Sequence, residues 1–405
     1  MVQKCFENMQ IERGNLLEKV SPLNFMQFKR LKNGFLFIFL FFLLFEGCSR
    51  SLVIRNEPEK YLGWNMFGGD HQHTNSISST LDAPLKLKWK FKTSSSLGLS
   101  QIISNGIIYA ATLDGKIEAF NILKGNKRGR IRINVGIVAA PVIHKGRLYF
   151  AISKKRNTFF CYNISKGRYF WRKNLGFIES SPVIYEEKLF VGNLDGKLYC
   201  LNSEDGEIVW ETKTDDSIYS SPSIWGNSVI IGTIGGKIYS FDIDKGNKLW
   251  EKGVKGSIFA SPSINNGNIF VGTTGNIFYA VDVKDGKIKW EFKTKGKIYS
   301  TSAVNENIVL FGCNDKFLYA VNQENGELLW KFNSGGLINT SPVIAGNYVY
   351  FGSLNHNLYG LDLNTGELKW TFKTSGRIKS SPIIYKNYLV ASSENRELFV
   401  FSGNN

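Results

Sequence analysis

The sequence has few of the residues that usually carry catalysis or bind metal ions. Its 405 residues include only 4 His and 5 Cys, and the cysteines form no CxxC pair or other metal-ligand spacing. No GxSxG, HExxH or phosphate-binding Gly loop stands in a suitable context. We therefore predict no catalytic residues, no metal site and no cofactor. The alternative for two histidines is a metal ion held by His71 and His73 on an extended segment, although no third ligand is evident.

Proline and long helical periodicities are scarce as well. The chain has 9 Pro but 40 Gly and 14% aromatic residues, and it is rich in Asn, Ser, Ile and Val. This composition is typical of short strands joined by turns, and its aromatic content is too high for a disordered chain. The sequence therefore predicts an all-β protein.

Acidic residues are almost absent from one stretch of the chain. Between Lys116 and Asn174 we count 15 Lys or Arg against one acid, Glu118, in a chain of net charge +16. This excess predicts a basic face that attracts an acidic protein, anionic lipid headgroups or nucleic acid. The alternative is an ordinary solvated surface.

Tryptophan, by contrast, recurs at spacings that settle to 39 or 40 residues. The series is Trp89, Trp171, Trp210, Trp250, Trp290, Trp330 and Trp370. One more unit lies between the first two members, and Gly129 takes the Trp position there. A large indole at one fixed place per unit is expected to wedge between neighbouring sheets, so we interpret these residues as structural. Where Gly129 replaces the indole, we expect packing to be lost and the sector to be looser.

Two further series have the same register. The first is a small-Pro-x-hydrophobic start at Pro141, Pro182, Pro222, Pro262, Pro342 and Pro382. The second places Asp or Asn four residues before a Gly, as in Asp362 and Gly366, at a constant offset from the Trp position. The acid or amide caps a turn, and Gly accepts the positive φ that such a turn requires.

Each unit thus comprises four short strands, and eight units predict an eight-bladed β-propeller over residues 85–405. The first Trp strand has no preceding strands, and the last unit stops at LFVFSG without a Trp strand. We therefore expect the N-terminal Trp strand to complete the last blade, which closes the ring and removes both exposed edges.

Cys161 and Cys200 occupy the same repeat position, which elsewhere holds Ala, Ser or Gly. We interpret both as buried free thiols that act as small apolar side chains. The alternative is a disulfide between them.

The D/N-x3-G-x3-W repeats resemble those of the PQQ-type (quinoprotein-like) β-propeller family, and WNMFGGDHQHTN at 64–75 resembles a segment that often precedes its ring. The chain is most similar to lipidated eight-bladed members that take part in outer-membrane β-barrel protein assembly. Quinone-dependent dehydrogenases of this family imply long insertions, a Ca²⁺ site of Glu, Asn and Asp, and a catalytic Asp. Here the units have no room for insertions, and only Glu179 supplies a carboxylate at the position three residues before each Pro slot. We expect a protein that is not an enzyme; the alternative is a PQQ-dependent dehydrogenase relic.

Residues 1–47 have the features of a leader. Lys29, Arg30 and Lys32 precede an apolar run of 11 residues, 35–45, which is too short to span a bilayer but typical of a signal peptide. The sequence LFEGC resembles a lipobox, which implies lipid on Cys48, a tether and pre-propeller segment at 48–84, and an outer-membrane lipoprotein facing the periplasm. The true start is either Met1 or Met26, and the alternatives to lipidation are an uncleaved anchor and an ordinary signal peptide.

Two surfaces are candidates for partner binding. Tyr219, Phe259 and Tyr299 share one repeat position in consecutive blades, so they are expected to form an aromatic arc near one mouth of the channel. The alternative is packing between blades. The second surface is basic and comprises Lys127, Arg128, Arg130, Lys154, Lys155 and Arg156.

The resemblance implies a protein partner, the POTRA-bearing β-barrel assembly protein, for a monomer that works within a larger complex. The membrane is the second partner, through Cys48. An exported chain is poorly compatible with nucleic-acid binding. The alternative function is an envelope sensor or binding propeller for peptides or glycans.

Overall fold

The chain forms eight four-stranded antiparallel sheets arranged as the blades of a propeller. A computed structural model describes residues 51–54, 63–153 and 158–403. The eight-bladed all-β fold predicted from the sequence is confirmed. Within the described ranges every regular element is a strand, so none of them is a helix capable of crossing a membrane.

Each blade is numbered here by chain order, and its strands run from the channel outward. Blades 1 and 2 comprise Ile102–Ser104, Ile107–Ala111, Lys116–Asn121 and Lys127–Arg132, then Val142–His144, Arg147–Ala151, Phe159–Asn163 and Arg168–Lys173. Blades 3 and 4 comprise Val183–Tyr185, Lys188–Gly192, Lys197–Asn202 and Ile208–Lys213, then Ser223–Trp225, Ser228–Gly232, Lys237–Asp242 and Lys248–Gly253. Blades 5 and 6 comprise Ser263–Asn265, Asn268–Gly272, Ile277–Asp282 and Ile288–Lys293, then Ala303–Val304, Ile308–Gly312, Phe317–Asn322 and Leu328–Asn333. Blade 7 comprises Val343–Ala345, Tyr348–Gly352, Asn357–Asp362 and Leu368–Lys373, with Ser76–Ile77 added in parallel to its first strand.

Blade 8 joins the two ends of the ring. Its first three strands are Ile383–Tyr385, Tyr388–Ser393 and Glu397–Ser402, and its fourth is Lys86–Lys92 from the start of the ring. Lys86–Lys92 pairs antiparallel with Glu397–Ser402, and Trp89 lies opposite Val400. Consequently, the last blade combines strands from both ends of the described chain.

Serine and threonine hydroxyls connect neighbouring blades near the channel. The backbone N–H of Ser181 donates to Oγ of Ser221 at 3.0 Å, and that of Ser221 donates to Oγ of Ser261 at 2.8 Å. The same bond joins Ala140 to Ser181, Ser261 to Thr301 and Ser341 to Ser381. The hydroxyls of Ser181, Ser221, Ser261 and Ser381, each just before a Pro, and that of Thr301 at the same repeat position thus pair buried backbone donors of the preceding blades, which explains the recurrence of Ser-Pro.

The Trp side chains lie in slots between blades. A Trp slot is the space between the fourth strand of one blade and the turn that joins the third and fourth strands of the next. The indole N–H donates to a carbonyl in that turn in six slots, with N···O distances of 2.7 Å for Trp89–Ile122, 3.1 Å for Trp171–Glu204, 3.1 Å for Trp210–Ile243, 3.0 Å for Trp250–Val283, 3.0 Å for Trp290–Gln323 and 2.9 Å for Trp330–Leu363. Blade 8 has no such turn, because its fourth strand comes from the start of the ring, and Trp370 packs edge-on against Phe401 instead.

Two features make Gly necessary in this turn, namely the positive φ and the close approach of the neighbouring indole. Gly366 has φ +71°, and a Cβ built there would lie 2.6 Å from the ring of Trp330. Asp362 fixes the same turn by accepting the N–H groups of Asn364 and Thr365 at 3.0 and 2.9 Å. The D/N-x3-G-x3-W pattern therefore specifies a turn on one side of a slot and the indole that fills the next slot.

The strand directions give the ring two distinct faces. The turns between first and second strands and between third and fourth strands lie on one face, which we call the Asx-turn face. The starts of the first strands and the turns between second and third strands lie on the opposite face. Because each first strand runs between the two faces, groups at its two ends belong to opposite faces of the ring.

Candidate interaction surfaces

A segment before the ring lies along the first strands of the blades at the Asx-turn face. Residues 64–77, here called the cap, offer their carbonyl groups to the first strands of successive blades. The backbone N–H groups of Ile103, Ile143, Ile224, Ile264, Val304 and Ile344 donate to the carbonyls of Trp64, Asn65, His71, Gln72, Thr74 and Asn75, respectively, at 2.7 to 2.9 Å. The cap contacts blade 3 through a side chain instead. The ring centroids of His71 and of Tyr185 in blade 3 are 4.9 Å apart. The cap therefore ties blades 1 to 7 together.

The residues that define the cap's sequence pattern hold its tight turn. Asp70 accepts the N–H groups of Gln72 and Thr74 at 2.9 and 3.1 Å and is also bonded by the Thr74 hydroxyl. A Cβ on Gly69, at φ +85°, would lie 3.2 Å from the Trp64 indole. The W-x-x-F-x-G-D pattern is thus the signature of a turn folded onto its own Trp.

His73 is a structural residue of the cap. Its side chain is fully buried, with Nδ1 3.0 Å from Oγ of Ser223 and 3.3 Å from the carbonyl oxygen of Pro262. Burial lowers the pKa of His73 to about 3, so the imidazole is neutral at ordinary pH. His71 lies against Tyr185 instead, and in the described residues no three His, Cys, Asp or Glu side chains converge as a metal site would require.

The aromatic arc predicted from the sequence exists on the opposite face. The rings of Tyr219 and Phe259 are 5.3 Å apart at 56°, and those of Phe259 and Tyr299 are 5.6 Å apart at 52°. All three side chains are partly exposed. The three rings therefore pack on one another between blades and also present part of each ring to solvent. The two readings of the sequence, an aromatic surface and packing between blades, are thus both correct.

Two hydrogen-bonding groups flank the arc at the same repeat position. Glu179, in blade 3, has its pKa raised by burial, and its charge adds to the burial that raises the pKa of Tyr219. Asn339, in blade 7, has a buried Oδ1 with no hydrogen-bond partner in the part of the chain that the structure describes. Sequence reasoning weighed Glu179 only as a metal ligand, although its repeat position already placed it beside Tyr219. The arc thus combines apolar rings with two acceptor groups.

The three basic candidates that the structure describes differ in their exposure and in their partners. Arg128 is exposed, whereas Lys127 forms an ion pair with the buried Glu118. Arg130 is partly buried, and its Nε has no hydrogen-bond partner among the described atoms. Lys154, Lys155 and Arg156 lie outside the described residues, as do Cys48 and the leader.

Gly129 replaces Trp because another part of the chain occupies its slot. Residues 51–54, here called the strap, lie between blades 1 and 2. A Cβ on Gly129 would lie 2.9 Å from Cα of Leu52, and the Leu52 side chain is fully buried. A Cβ on Gly167, the turn glycine of blade 2, would lie 2.6 Å from Cγ2 of Val53. The expectation of lost packing at this slot is therefore wrong, because Leu52 and Val53 fill the space of the missing indole.

The strap also replaces the indole's hydrogen bond. The backbone N–H of Ile54 donates to the carbonyl of Ile164 at 3.1 Å. Ile164 follows the turn residue Asn163, just as Ile243, an indole acceptor, follows Asp242. The N–H of Leu52 donates to the Arg130 carbonyl at 3.1 Å, and the Tyr162 hydroxyl donates to the Leu52 carbonyl at 2.9 Å. The strap is thus held on both sides of the slot.

Cys161 and Cys200 are free and buried, as is Cys313. Burial raises the pKa of each thiol to about 12. The prediction of buried free thiols that act as small apolar side chains is confirmed for Cys161 and Cys200, and the disulfide alternative is wrong.

The blades, the Trp slots and the Asx–Gly turns define the chain as an eight-bladed propeller of the PQQ-like repeat class. A family model described as "Outer membrane protein assembly factor BamB" matches residues 80–212 and 314–405, which is more than half of the chain. The chain belongs to this family. A second model, described as the β-propeller of a beta-alanine-activating enzyme, matches residues 149–347.

Relatives and solved structures agree with this assignment. The chain is 26% identical over 182 residues to outer membrane protein assembly factor BamB of Escherichia coli strain K12; the match covers 41% of this chain and 45%, less than half, of that relative. The crystal structure of BamB from Moraxella catarrhalis has a TM-score of 0.66 at 18% identity, over 78% of this chain and 99% of that one. Quinohemoprotein alcohol dehydrogenase from Comamonas testosteroni reaches 0.72 at 14% identity, over 85% and 81%. At these identities the two solved structures show a common fold alone.

Proposed function

We propose that the chain is a non-catalytic scaffold in outer-membrane protein assembly, and that it binds a protein partner through the aromatic arc. The observation that carries the proposal is the arc itself, which joins three partly exposed rings at 5.3 and 5.6 Å on the face opposite the cap. Clustered Tyr and Phe side chains are typical of the centres of protein interfaces. The name of the family and of its relatives supports the assembly role.

The partner in this proposal is the β-barrel assembly protein, bound through its POTRA domains. Partly exposed aromatic rings accept apolar and cationic side chains, while Glu179 and the unpaired Oδ1 of Asn339 offer hydrogen-bond acceptors on either side. The protein would act as one copy within a larger complex. It would be held at the periplasmic side of the outer membrane by lipid on Cys48.

A substitution in the arc tests the proposal directly. Tyr219→Ala together with Tyr299→Ala is expected to reduce co-purification of the barrel protein from detergent-solubilised envelope about tenfold or more, because anchor side chains each contribute more than about 1 kcal/mol. The matched control is Tyr348→Ala with Tyr388→Ala, two partly buried tyrosines that begin second strands on the Asx-turn face. Equal recovery from both variants and the parent would contradict the role of the arc.

The competing function is that of a quinone-dependent enzyme, the class of one solved structure that has the same fold. Against it, the ring position that includes Glu179 offers one carboxylate among eight residues, and a hard cation requires several converging oxygen ligands. We expect no change in absorbance when PQQ and Ca²⁺ are added to the purified chain. Stoichiometric uptake of the quinone would overturn the non-catalytic assignment. Peptide or glycan recognition remains the second alternative, and binding that survives the arc substitutions would favour another surface.

A further inference from the structure

We propose that the edge of the ring formed by blades 1 and 2, on the Asx-turn face, docks against an anionic lipid surface. The strap, the charge of the turns and the exposed apolar side chains beside them carry this inference. It rests on the proposed function in one respect, because it requires lipid on Cys48.

The strap fixes which part of the ring lies near the N-terminus of the mature chain. Leu52 is buried between blades 1 and 2 and follows Cys48 by only four residues. Four residues of fully extended chain reach about 14 Å at most. A lipid-bearing Cys48 therefore cannot hang on a long flexible linker, and the edge next to the strap is the part of the ring closest to the bilayer.

The charge of the Asx-turn face is not uniform around the ring. In blades 1 and 2 its exposed basic side chains include Lys124, Arg128, Lys166 and Arg168. Among the described residues, none of these four has a carboxylate within 4.0 Å. The corresponding turns of blades 3 and 6 carry the exposed acids Glu204, Asp205 and Glu324 and no lysine. The turns of blades 4 and 5 pair the exposed Asp244 and Asp285 with the exposed Lys245 and Lys284. An anionic surface attracts the turns of blades 1 and 2, repels those of blades 3 and 6 and has little net effect on those of blades 4 and 5. The ring is therefore expected to stand tilted on blades 1 and 2.

Exposed apolar side chains lie among these basic residues. Leu123 is 57% exposed in the blade 1 turn, Phe170 is 40% exposed and Val53 of the strap is 39% exposed. The Arg147 guanidinium carbon lies 4.9 Å from the Phe170 ring centroid, and Nζ of Lys166 lies 5.8 Å from it. Aromatic and aliphatic groups among cations suit the headgroup region of a bilayer, where apolar and charged groups are both accommodated.

The test places a dye at two matched leucines of the full lipidated protein. An environment-sensitive thiol-reactive dye is attached through Leu123→Cys in blade 1 or Leu329→Cys in blade 6, which is 48% exposed on the far side of the ring. The native Cys161, Cys200 and Cys313 are buried and do not compete. Each protein is reconstituted into vesicles of phosphatidylcholine alone or with 30% phosphatidylglycerol, at low and at high salt. Quenching by a headgroup-labelled lipid then reports distance from the surface.

We expect quenching at position 123 that requires phosphatidylglycerol and weakens with salt, and little quenching at position 329. Lys124→Glu with Lys166→Glu should weaken the phosphatidylglycerol-dependent signal about tenfold or more. The matched control is Lys245→Glu with Lys284→Glu, because these exposed lysines also donate their backbone N–H to the turn Asp, as Lys124 and Lys166 do to the turn Asn. The control has the same change in charge and should retain the signal.

Three results would overturn the proposal, and they are distinguishable. Equal quenching at both positions, or quenching at 123 that ignores phosphatidylglycerol, would show a ring that is tethered but not docked. Mass spectrometry of the N-terminal peptide without lipid on Cys48 would remove the anchor and with it the lipoprotein part of the proposed function. The competing occupant of the basic edge is an acidic protein. Absence of phosphatidylglycerol-dependent quenching at position 123, together with capture of an acidic protein, would favour that occupant.

Discussion

The slot between blades 1 and 2 and the slots that follow blades 3 to 6 are filled in different ways. In blades 3 to 6 each fourth strand supplies its own indole, and the N–H donates to the turn of the next blade at 2.9 to 3.1 Å. In blade 1 the fourth strand has Gly129, and residues 51–54 bring an N–H donor and apolar side chains to the slot from outside the repeats. A slot therefore requires one donor and enough apolar volume, whichever part of the chain supplies them.

The two regions also differ in what a substitution would disturb. In a regular slot, the indole and the turn belong to the repeat, so the loss of one side chain affects one blade interface. At the blade 1–2 slot, the same packing depends on a chain segment that leads directly toward Cys48. Packing between blades 1 and 2 thus depends on a segment that precedes the repeats.

The largest effect is expected from emptying a regular slot. Trp290→Ala removes a nearly buried indole and its bond to the Gln323 carbonyl, so the free energy of unfolding should fall by about 3–5 kcal/mol. Urea denaturation followed by circular dichroism measures the change. The control is Leu249→Ala, on an outer strand and 52% exposed, which should stay within about 0.5 kcal/mol of the parent. Similar losses for the two variants would show that the slots do not hold the blades.

Removing the strap side chain that fills the slot between blades 1 and 2 is expected to have the next largest effect on stability. Leu52→Ala removes a fully buried side chain and should lower the free energy of unfolding by about 2–4 kcal/mol. Hydrogen exchange should rise in blades 1 and 2 and remain unchanged in blades 4 to 6, because the strap contacts only the former. Exchange that rises evenly around the ring, or not at all, would show that the strap is dispensable for packing.

Most of the regular region could be predicted from the sequence, because each of its contacts is repeated. The Trp series, the Asx–Gly turns and the Ser-Pro starts recur at a fixed spacing, and the arc of Tyr219, Phe259 and Tyr299 follows from one repeat position. The strap could not be predicted, because Leu52 contacts Gly129 across 77 residues without any repeated pattern to link them. The cap was recognised as a segment, but its role in the ring rests on backbone carbonyls that no residue type reveals.

The cap links both regions, and His73 makes its stability dependent on pH. The pKa of His73 is about 3 in the folded chain and near 6.5 when unfolded, so the unfolded state binds the proton more readily. The stabilisation is complete above pH 6.5 and is lost as the pH falls from 6.5 toward 3, by up to about 1.4 kcal/mol per pH unit. Between pH 7 and pH 5 the free energy of unfolding should therefore fall by about 2 kcal/mol from this residue.

Urea denaturation at the two pH values, repeated with His73→Gln, isolates the contribution of this histidine. Carboxylates elsewhere in the chain titrate in both proteins, so the difference between the two pH dependences belongs to His73. Identical slopes in parent and variant would mean that the imidazole is not held neutral by the cap.

The smallest expected effect on stability distinguishes the two reasons for a Gly in the Asx turn, which are its positive φ and the close approach of an indole. Gly326→Ala places a methyl group at φ +74° and 2.6 Å from the Trp290 ring, whereas Gly226→Ala places one at φ +53° with no other atom within 4 Å. Both variants incur the cost of a left-handed backbone, and only the first must also displace an indole. Gly326→Ala should therefore be less stable than Gly226→Ala by about 1–2 kcal/mol in urea denaturation. If the two alanines are equally destabilising, φ alone explains the turn glycine, and the close approach of the indole tolerates a methyl group.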